Sequence, residues 1–231
     1  MSKDVEKNEL AVTYQVDGQE VKLTPSIVQK YIVGSNATIT MPEFKFFTEL
    51  CRARGLNPFL KEAYLIKYGN EPAQLVVGKD AIERRAILNP QYDGKKTGII
   101  VADKDGNIVE RKGLFYAEEE TVVGGWAEVY RKDWTHPVYV SVSVKESEQI
   151  KKDGSRNHMW QTKTATMIEK VAKVRALREA FVEQLGGMYD ADEMNVDLPA
   201  DARSDSYGEN GEQADFVIDD VEPEQVSMND L

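Results

Sequence analysis

Ten charged side chains lie between Lys151 and Arg178, and eight are basic: Lys151, Lys152, Arg156, Lys163, Lys170, Lys173, Arg175 and Arg178. Only Asp153 and Glu169 oppose them. Such a stretch is suited to gripping an anion, because lysine and arginine make charge-assisted hydrogen bonds to phosphate. Lys151–His158 reads as a basic, glycine-containing loop leading into a helical period, where backbone amides and a positive helix end favour phosphate oxygens. Lys95-Lys96 and Arg131-Lys132 add two basic pairs at predicted turns.

Arg178 is the sharpest single residue. Stepping 100° per residue from Met167 gathers Trp160, Val171, Val174, Phe181 and Leu185 within about 40° of one apolar stripe, and Arg178 falls at about 20°, inside it. Lys163 and Lys170 lie on one flank, while Glu169, Glu179 and Glu183 project from the opposite side. An unpaired buried charge costs several kcal/mol, so Arg178 requires either an internal carboxylate or a ligand phosphate. The pattern alone leaves both open. Trp126, Tyr130, Trp134 and Trp160 could stack on bases, although aromatics at this spacing more often fill a core.

Other chemistries find little support. The sequence has no G-x-x-x-x-G-K-[ST], no G-x-G-x-x-G and no G-x-S-x-G, which argues against a nucleotide-driven motor, a dinucleotide site and a serine nucleophile. Cys51 stands alone, and His136 and His158 are the only histidines, too few for a zinc site with the usual ligands. Asp17, Glu20 and Lys22 faintly suggest a metal-dependent nuclease, but Asp17-Gly18 is already explained as a hairpin turn.

The elements that must position these residues follow from local patterning. Residues 10–23 alternate on both sides of Asp17-Gly18, predicting a hairpin. Thr24-Pro25 starts a short helix that ends by Gly34, and Thr40-Met41-Pro42-Glu43 carries a capping box for a second, closed by Gly55. Two β-rich runs, 63–68 and 73–77, precede an amphipathic segment over 80–88. Strand signals resume at 97–102 and turn at Asp105-Gly106. Segments 122–131 and 138–144 read as an antiparallel pair, since Val138, Val140, Val142 and Val144 recur at every second position. The period then changes to 3.6, predicting one long helix from Trp160 to Leu185 before Gly186-Gly187.

The 231 residues carry a net charge of −11, but the acidity is local. From Asp190 to Leu231 there are fourteen acids against Arg203 alone, whereas residues 1–189 hold 28 basic and 26 acidic side chains. The expected organisation is an N-terminal hairpin arm (1–23), a core (24–191) and an acidic, disordered tail (192–231). Within that tail, Phe216-Val217-Ile218 and Val221 alternate with carboxylates, a pattern suited to folding on a partner. No apolar run of eighteen residues exists and the N-terminus is charged, so the expectation is a cytoplasmic protein with no membrane association.

Several blocks recur together in one order: Gly55-Leu56-Asn57-Pro58-Phe59 with Lys61-Glu62-Ala63-Tyr64; Val76-Val77-Gly78; Tyr130-Arg131-Lys132-Asp133 with His136-Pro137; and Trp160-Gln161, Met167, Arg178, Ala180-Phe181 and Tyr189-Asp190. From about Thr24 to Asp192 the chain thereby resembles the RecT/Bet family, the lambda Red beta-like phage single-strand DNA annealing proteins. The resemblance implies an α+β fold, an antiparallel sheet packed on helices and distantly Rad52-like, that assembles into homo-oligomeric rings or helical filaments. It implies a non-catalytic, ATP-independent recombinase of the bacterial host cytoplasm, phage or prophage encoded, with Mg²⁺ as a modulator of annealing. Its partners would be single-stranded DNA, annealed duplex, a phage 5′-3′ exonuclease and a host single-strand-binding protein. The expected DNA contacts are Lys61, Arg131, Lys132, Gln161 and Arg178, together with Lys151, Lys152, Arg156, Lys163, Lys170 and Lys173 of the basic stretch. The rival expectations are a passive single-strand coat and a metal-dependent nuclease.

Overall fold

The computed structural model describes residues 10–33, 37–68, 71–151, 154–194 and 196. Its first element is the hairpin of β1 (Val12–Val16) and β2 (Gln19–Leu23). Asp17 and Gly18 adopt φ of 50° and 79°, the paired positive values that match a two-residue loop to the twist of its strands. The hairpin is not a detached arm. Tyr14, Val16, Val21 and Leu23 are buried in the main core, and the Tyr14 hydroxyl donates to the Leu56 carbonyl at 2.9 Å. Asp17 pairs with Arg84, and Glu20 and Lys22 lie exposed on β2.

Thr24 caps α1 (Pro25–Ile27), which continues as a wider π-helical turn over Val28–Ile32. At α2 (Met41–Arg54) the predicted capping box forms in both directions: Glu43 N–H donates to Thr40 Oγ1 at 3.4 Å, and Thr40 N–H donates to Glu43 Oε2 at 2.7 Å. The Thr40 amide, with Lys67 on the same carboxylate, holds the Glu43 pKa down to about 2. Gly55 ends α2 at φ 60°, a left-handed position that glycine adopts without steric cost. A two-stranded unit of β3 (Ala63–Ile66) and β4 (Gln74–Val77) follows, then α3 (Lys79–Leu88).

The central feature is an antiparallel sheet of β5 (Tyr92–Ala102), β6 (Ile108–Lys112), β7 (Thr121–Arg131) and β8 (Val138–Ser143) in the order β6-β5-β7-β8. The alternation predicted for 138–144 holds to Ser143: Val140 and Val142 are buried, and Tyr139 and Ser141 are exposed. Chain then passes through α4 (Val144–Ser147) and α5 (His158–Thr162) into α6 (Thr164–Ala180), which packs across β7, β8 and β5. A Cβ on Gly125 of β7 would lie 2.6 Å from the Ile168 carbonyl oxygen, so only glycine allows the helix backbone to come this close to the sheet.

The predicted continuous helix from Trp160 to Leu185 is three pieces. Lys163 separates α5 from α6, and Phe181 separates α6 from α7 (Val182–Leu185), each with non-helical dihedrals near φ −130° and ψ 45°. The apolar period survives the breaks, because Trp160, Phe181 and Leu185 all reach the core. Beyond α7 the chain returns as a strap, residues 189–194 and 196. Val77 N–H donates to the Tyr189 carbonyl at 2.9 Å, and Ala191, Met194 and Val196 pack on Tyr64, Ile66 and Val76 of the β3–β4 unit. The segment expected to begin a tail at Asp192 therefore carries packed residues as far as Val196. The rest of that tail, 197–231, lies outside the described residues, as does Lys152. Among the described residues no helix is long and apolar enough to cross a membrane.

Candidate nucleic-acid interface

The cations of the basic stretch divide into two groups. On α6, Arg178 donates Nη1 and Nη2 to the two oxygens of Glu193 at 2.6 and 2.5 Å, and Nη1 also donates to the Met188 carbonyl at 3.2 Å. Its guanidinium lies 4.4 Å from the Tyr189 ring centroid. Burial works against the charge of Arg178, but the hydrogen bond and charge of Glu193 outweigh it and raise the pKa above the ordinary arginine value. Of the two partners open to Arg178, the structure shows the internal carboxylate. Arg175 approaches the same Glu193 at 3.7 Å.

Lys170 and Lys173 are similarly engaged. Lys170 contacts Asp192 and lies 3.5 Å from Asp190, both on the strap. Lys173 lies 3.5 Å from Glu83 of α3 and 3.6 Å from Glu169 one turn back. Glu83 also accepts from Lys95 of β5. Burial disfavours its charge, yet Lys95 and Lys173 prevail and lower its pKa. One carboxylate thus ties α3, β5 and α6 together. The expected open groove of helix cations is not present: Lys170, Lys173 and Arg178 are all largely buried and each faces a carboxylate.

Arg131 is the most heavily engaged of the expected contact residues. It donates Nε and Nη2 to Asp133 at 2.9 and 2.8 Å, and Nη1 to Glu183 at 2.9 Å and to the Ala180 carbonyl at 2.5 Å. Its charge lies between the rings of Trp134 and Phe181, at 4.6 and 5.0 Å. The Asp133 hydrogen bonds raise its pKa against the opposing effect of burial. The geometry is that of a clamp on the C-terminal end of α6, where the carbonyls carry partial negative charge.

The second group lies upstream of α6. Lys151, Gln161 and Lys163 are exposed, on a tight loop, on α5 and at its junction with α6. Lys151 N–H donates to the Ser155 carbonyl at 2.8 Å, and Gly154 turns the chain with φ 82°. Arg156 bonds Glu148 through Nε at 2.5 Å but keeps nearly half of its side chain exposed. The loop is anchored rather than loose. Buried Gln149 accepts from Asn157 Nδ2 at 3.0 Å and donates to the strap at the Ala191 carbonyl, 3.4 Å away. The helix end expected to attract phosphate is capped internally, since Asn157 Oδ1 accepts from Met159 N–H at 2.9 Å.

Lys132 and Lys61 are exposed elsewhere. Lys132 donates to the neutral Pro90 carbonyl at 3.0 Å, and Lys61 sits at φ 59° after Pro58–Leu60. A Cβ on Gly78 would lie 2.6 Å from the Lys61 carbonyl oxygen, which explains why glycine follows Val76-Val77. Of the aromatic candidates, Trp160 and Trp126 are buried, Trp134 covers Arg131, and Tyr130 lies beneath Lys96, whose Nζ is 4.7 Å from the ring centroid.

Asp190, Asp192 and Glu193 were not among the expected site residues. Their signal was present as Tyr-Asp-x-Asp-Glu directly after a basic helix, but the acidic composition that follows conceals it. A second concentration of arginine also escaped notice. A cavity of about 540 Å³ is lined by Arg54, Arg84 and Arg85 together with Asp17 and Glu183. Arg84 bonds Glu62 and Asp17, and Arg85 donates to the carbonyls of Arg54 and Gly55, which makes most of this charge part of the α2 terminus. Compared with known proteins, residues 19–207 match the profile of the RecT family. No curated protein matches the chain.

Proposed function

The chain belongs to the RecT family, and from that premise we propose that it is an ATP-independent single-strand DNA-binding and annealing protein of phage or prophage recombination. Family membership carries the role in single-strand annealing and recombination. Match of the family profile over residues 19–207 is the observation on which this reading rests.

The finer mechanism is ours. Exposed Lys151, Arg156, Gln161 and Lys163, with Lys61 and Lys132, hold the strand by its phosphates. The α6 cations and Arg131 hold the frame on which that loop stands. Phosphate contacts orient a strand without reading its sequence, so base edges remain free for a complementary strand. Stacking in the product duplex supplies about 1.4 kcal/mol per step, which makes annealing downhill without a nucleotide cofactor. Copies assembled side by side turn weak contacts into avidity.

The test is a fluorescence-quench assay with two complementary oligonucleotides and the full chain. Annealing is expected to accelerate with no ATP present. A slowed reaction would replace this reading with a passive single-strand coat, and Mg²⁺-dependent loss of the labelled strand would replace it with a nuclease.

A further inference from the structure

Lys151, Arg156, Gln161 and Lys163 hold one strand together only if something fixes them relative to each other. The backbone of the basic loop fixes its shape. Asn157 N–H donates to the Gln149 carbonyl and Lys151 N–H to the Ser155 carbonyl, both at 2.8 Å, and Gly154 N–H donates to the Lys151 carbonyl at 2.9 Å. Ile150 and Arg156 thereby face one another across an antiparallel bridge. These bonds, with the Arg156–Glu148 pair, all run within residues 148–157. They make a small hairpin and leave its direction relative to the body unset.

Direction comes from one side-chain amide. Gln149 is 6 % exposed and faces two ways: Oε1 accepts from Asn157 Nδ2 at 3.0 Å, and Nε2 donates to the Ala191 carbonyl at 3.4 Å. The Ala191 end belongs to the body. Its carbonyl also accepts from Val196 N–H at 3.0 Å, its side chain packs with Tyr64, Ile66 and Val76, and its neighbours Asp190 and Asp192 face Lys170.

At the other end, Asn157 uses both halves of its amide. Nδ2 meets Gln149, while Oδ1 accepts from Met159 N–H at 2.9 Å and starts α5. Gln161 N–H then donates to the Asn157 carbonyl at 3.0 Å. Turning the Gln149 amide over would set N–H against N–H at Asn157 and oxygen against oxygen at Ala191, so the relay has one orientation. Burial makes an unmet amide expensive.

We infer that Gln149 is a positioning residue for strand binding. Acting through Asn157, it refers both the basic loop and the start of α5 to the strap. Lys151 and Arg156 on the loop, and Gln161 and Lys163 on and after α5, then meet one run of phosphates at the same time. Gln149 itself is too buried to touch the strand. A loop already oriented makes its contacts without the ordering cost that a swinging loop meets at each one. The inference rests on the proposed reading of the chain as a single-strand annealing protein, and adds to it a neutral side chain on which the number of simultaneous phosphate contacts depends.

The experiment titrates the full chain into a fluorescent single-stranded oligonucleotide over a range of salt. Gln149→Met keeps the length and apolar stem without either hydrogen bond. Asn157→Ser keeps a cap for α5, since serine serves as well as asparagine there, but is too short to reach Gln149. Both substitutions are neutral, so a purely structural role leaves the slope of log K against log salt unmoved. Each is expected to reduce that slope by about 1.4, the value for two lost contacts to a single strand. Adding Lys151→Ala to Gln149→Met should then lower the slope by less than Lys151→Ala does alone, because the two changes remove the same contact. A slope equal to that of the unmodified chain in either folded variant overturns the inference. Should Gln149→Met melt below the assay temperature, Asn157→Ser decides alone. The same preparations pass through the annealing assay. An unmodified chain that does not speed annealing removes the proposed function, whereas one that anneals, with variants that keep its slope, removes the positioning role alone.

Discussion

Lys163 and Lys170 stand seven residues apart on the same basic stretch, yet the protein treats them as different materials. Lys170 is closed in beneath Asp190 and Asp192 of the strap, while Lys163 stands exposed where the helix breaks. The same contrast separates Arg178, locked to Glu193, from Lys151 on its exposed loop. A local count of positive charge is therefore a poor guide to where a polyanion sits. What decides is whether the fold has already supplied a carboxylate, because a buried pair holds structure together whereas an exposed cation remains available to a ligand.

The comparison breaks first, if it breaks at all, at Arg178. Arg178→Ala leaves buried Glu193 with Arg175, 3.7 Å away, as its remaining cation, an expected loss of about 3 kcal/mol. For a domain of this size that lowers the melting temperature by roughly 10 °C, readable by calorimetry. A variant that melts like the unmodified chain but fails to bind single strands would move Arg178 into the ligand-binding group. The next largest effect is expected at the exposed group. Lys151→Ala with Lys163→Ala should leave melting unchanged and reduce the slope of log K against log salt by about 1.4, at about 0.7 per lost contact to a single strand. Lys170→Ala should leave that slope where it was, and a change equal to that from Lys163→Ala would erase the distinction between the two groups.

The smallest effect concerns a third pair, Lys67 with Glu43. The folded pKa of Glu43 is depressed to about 2, so its contribution is present above the unfolded value of about 4.3 and is lost as pH falls from there toward 2. Glu43→Gln should flatten the acid limb of the melting curve in that window. An unchanged acid limb would mean that pairing at this site does not stabilise the fold.

Much of this architecture could be read from neighbouring residues. The Asp17-Gly18 turn, the Thr40–Glu43 capping box, the Gly55 stop and the β8 alternation each depend on residues a few positions apart, and each appears as predicted. The interruptions at Lys163 and Phe181 could not be read, because the apolar period passes through them and only the dihedrals change. Arg178 was recognised as needing a partner, but that partner lies fifteen residues downstream in a stretch whose composition reads as solvated tail. Averaging Asp190, Asp192 and Glu193 with the acids after residue 197 hides the three that return to the helix. The site was thus legible as a charge pattern, and its division into paired and exposed members required the path of the chain in space.

The position of the strap has a consequence for biosynthesis. Glu193 leaves the ribosome after all of α6, so the contacts of Lys170 and Arg178 with the strap cannot form until translation has passed residue 193. Until then Lys170 and Arg178 lack their strap carboxylates, whereas Lys173 already has Glu83 and Glu169. Closing the strap is the step that pairs them, and a stalled or truncated product ending near Leu185 would leave Lys170 and Arg178 without these carboxylates.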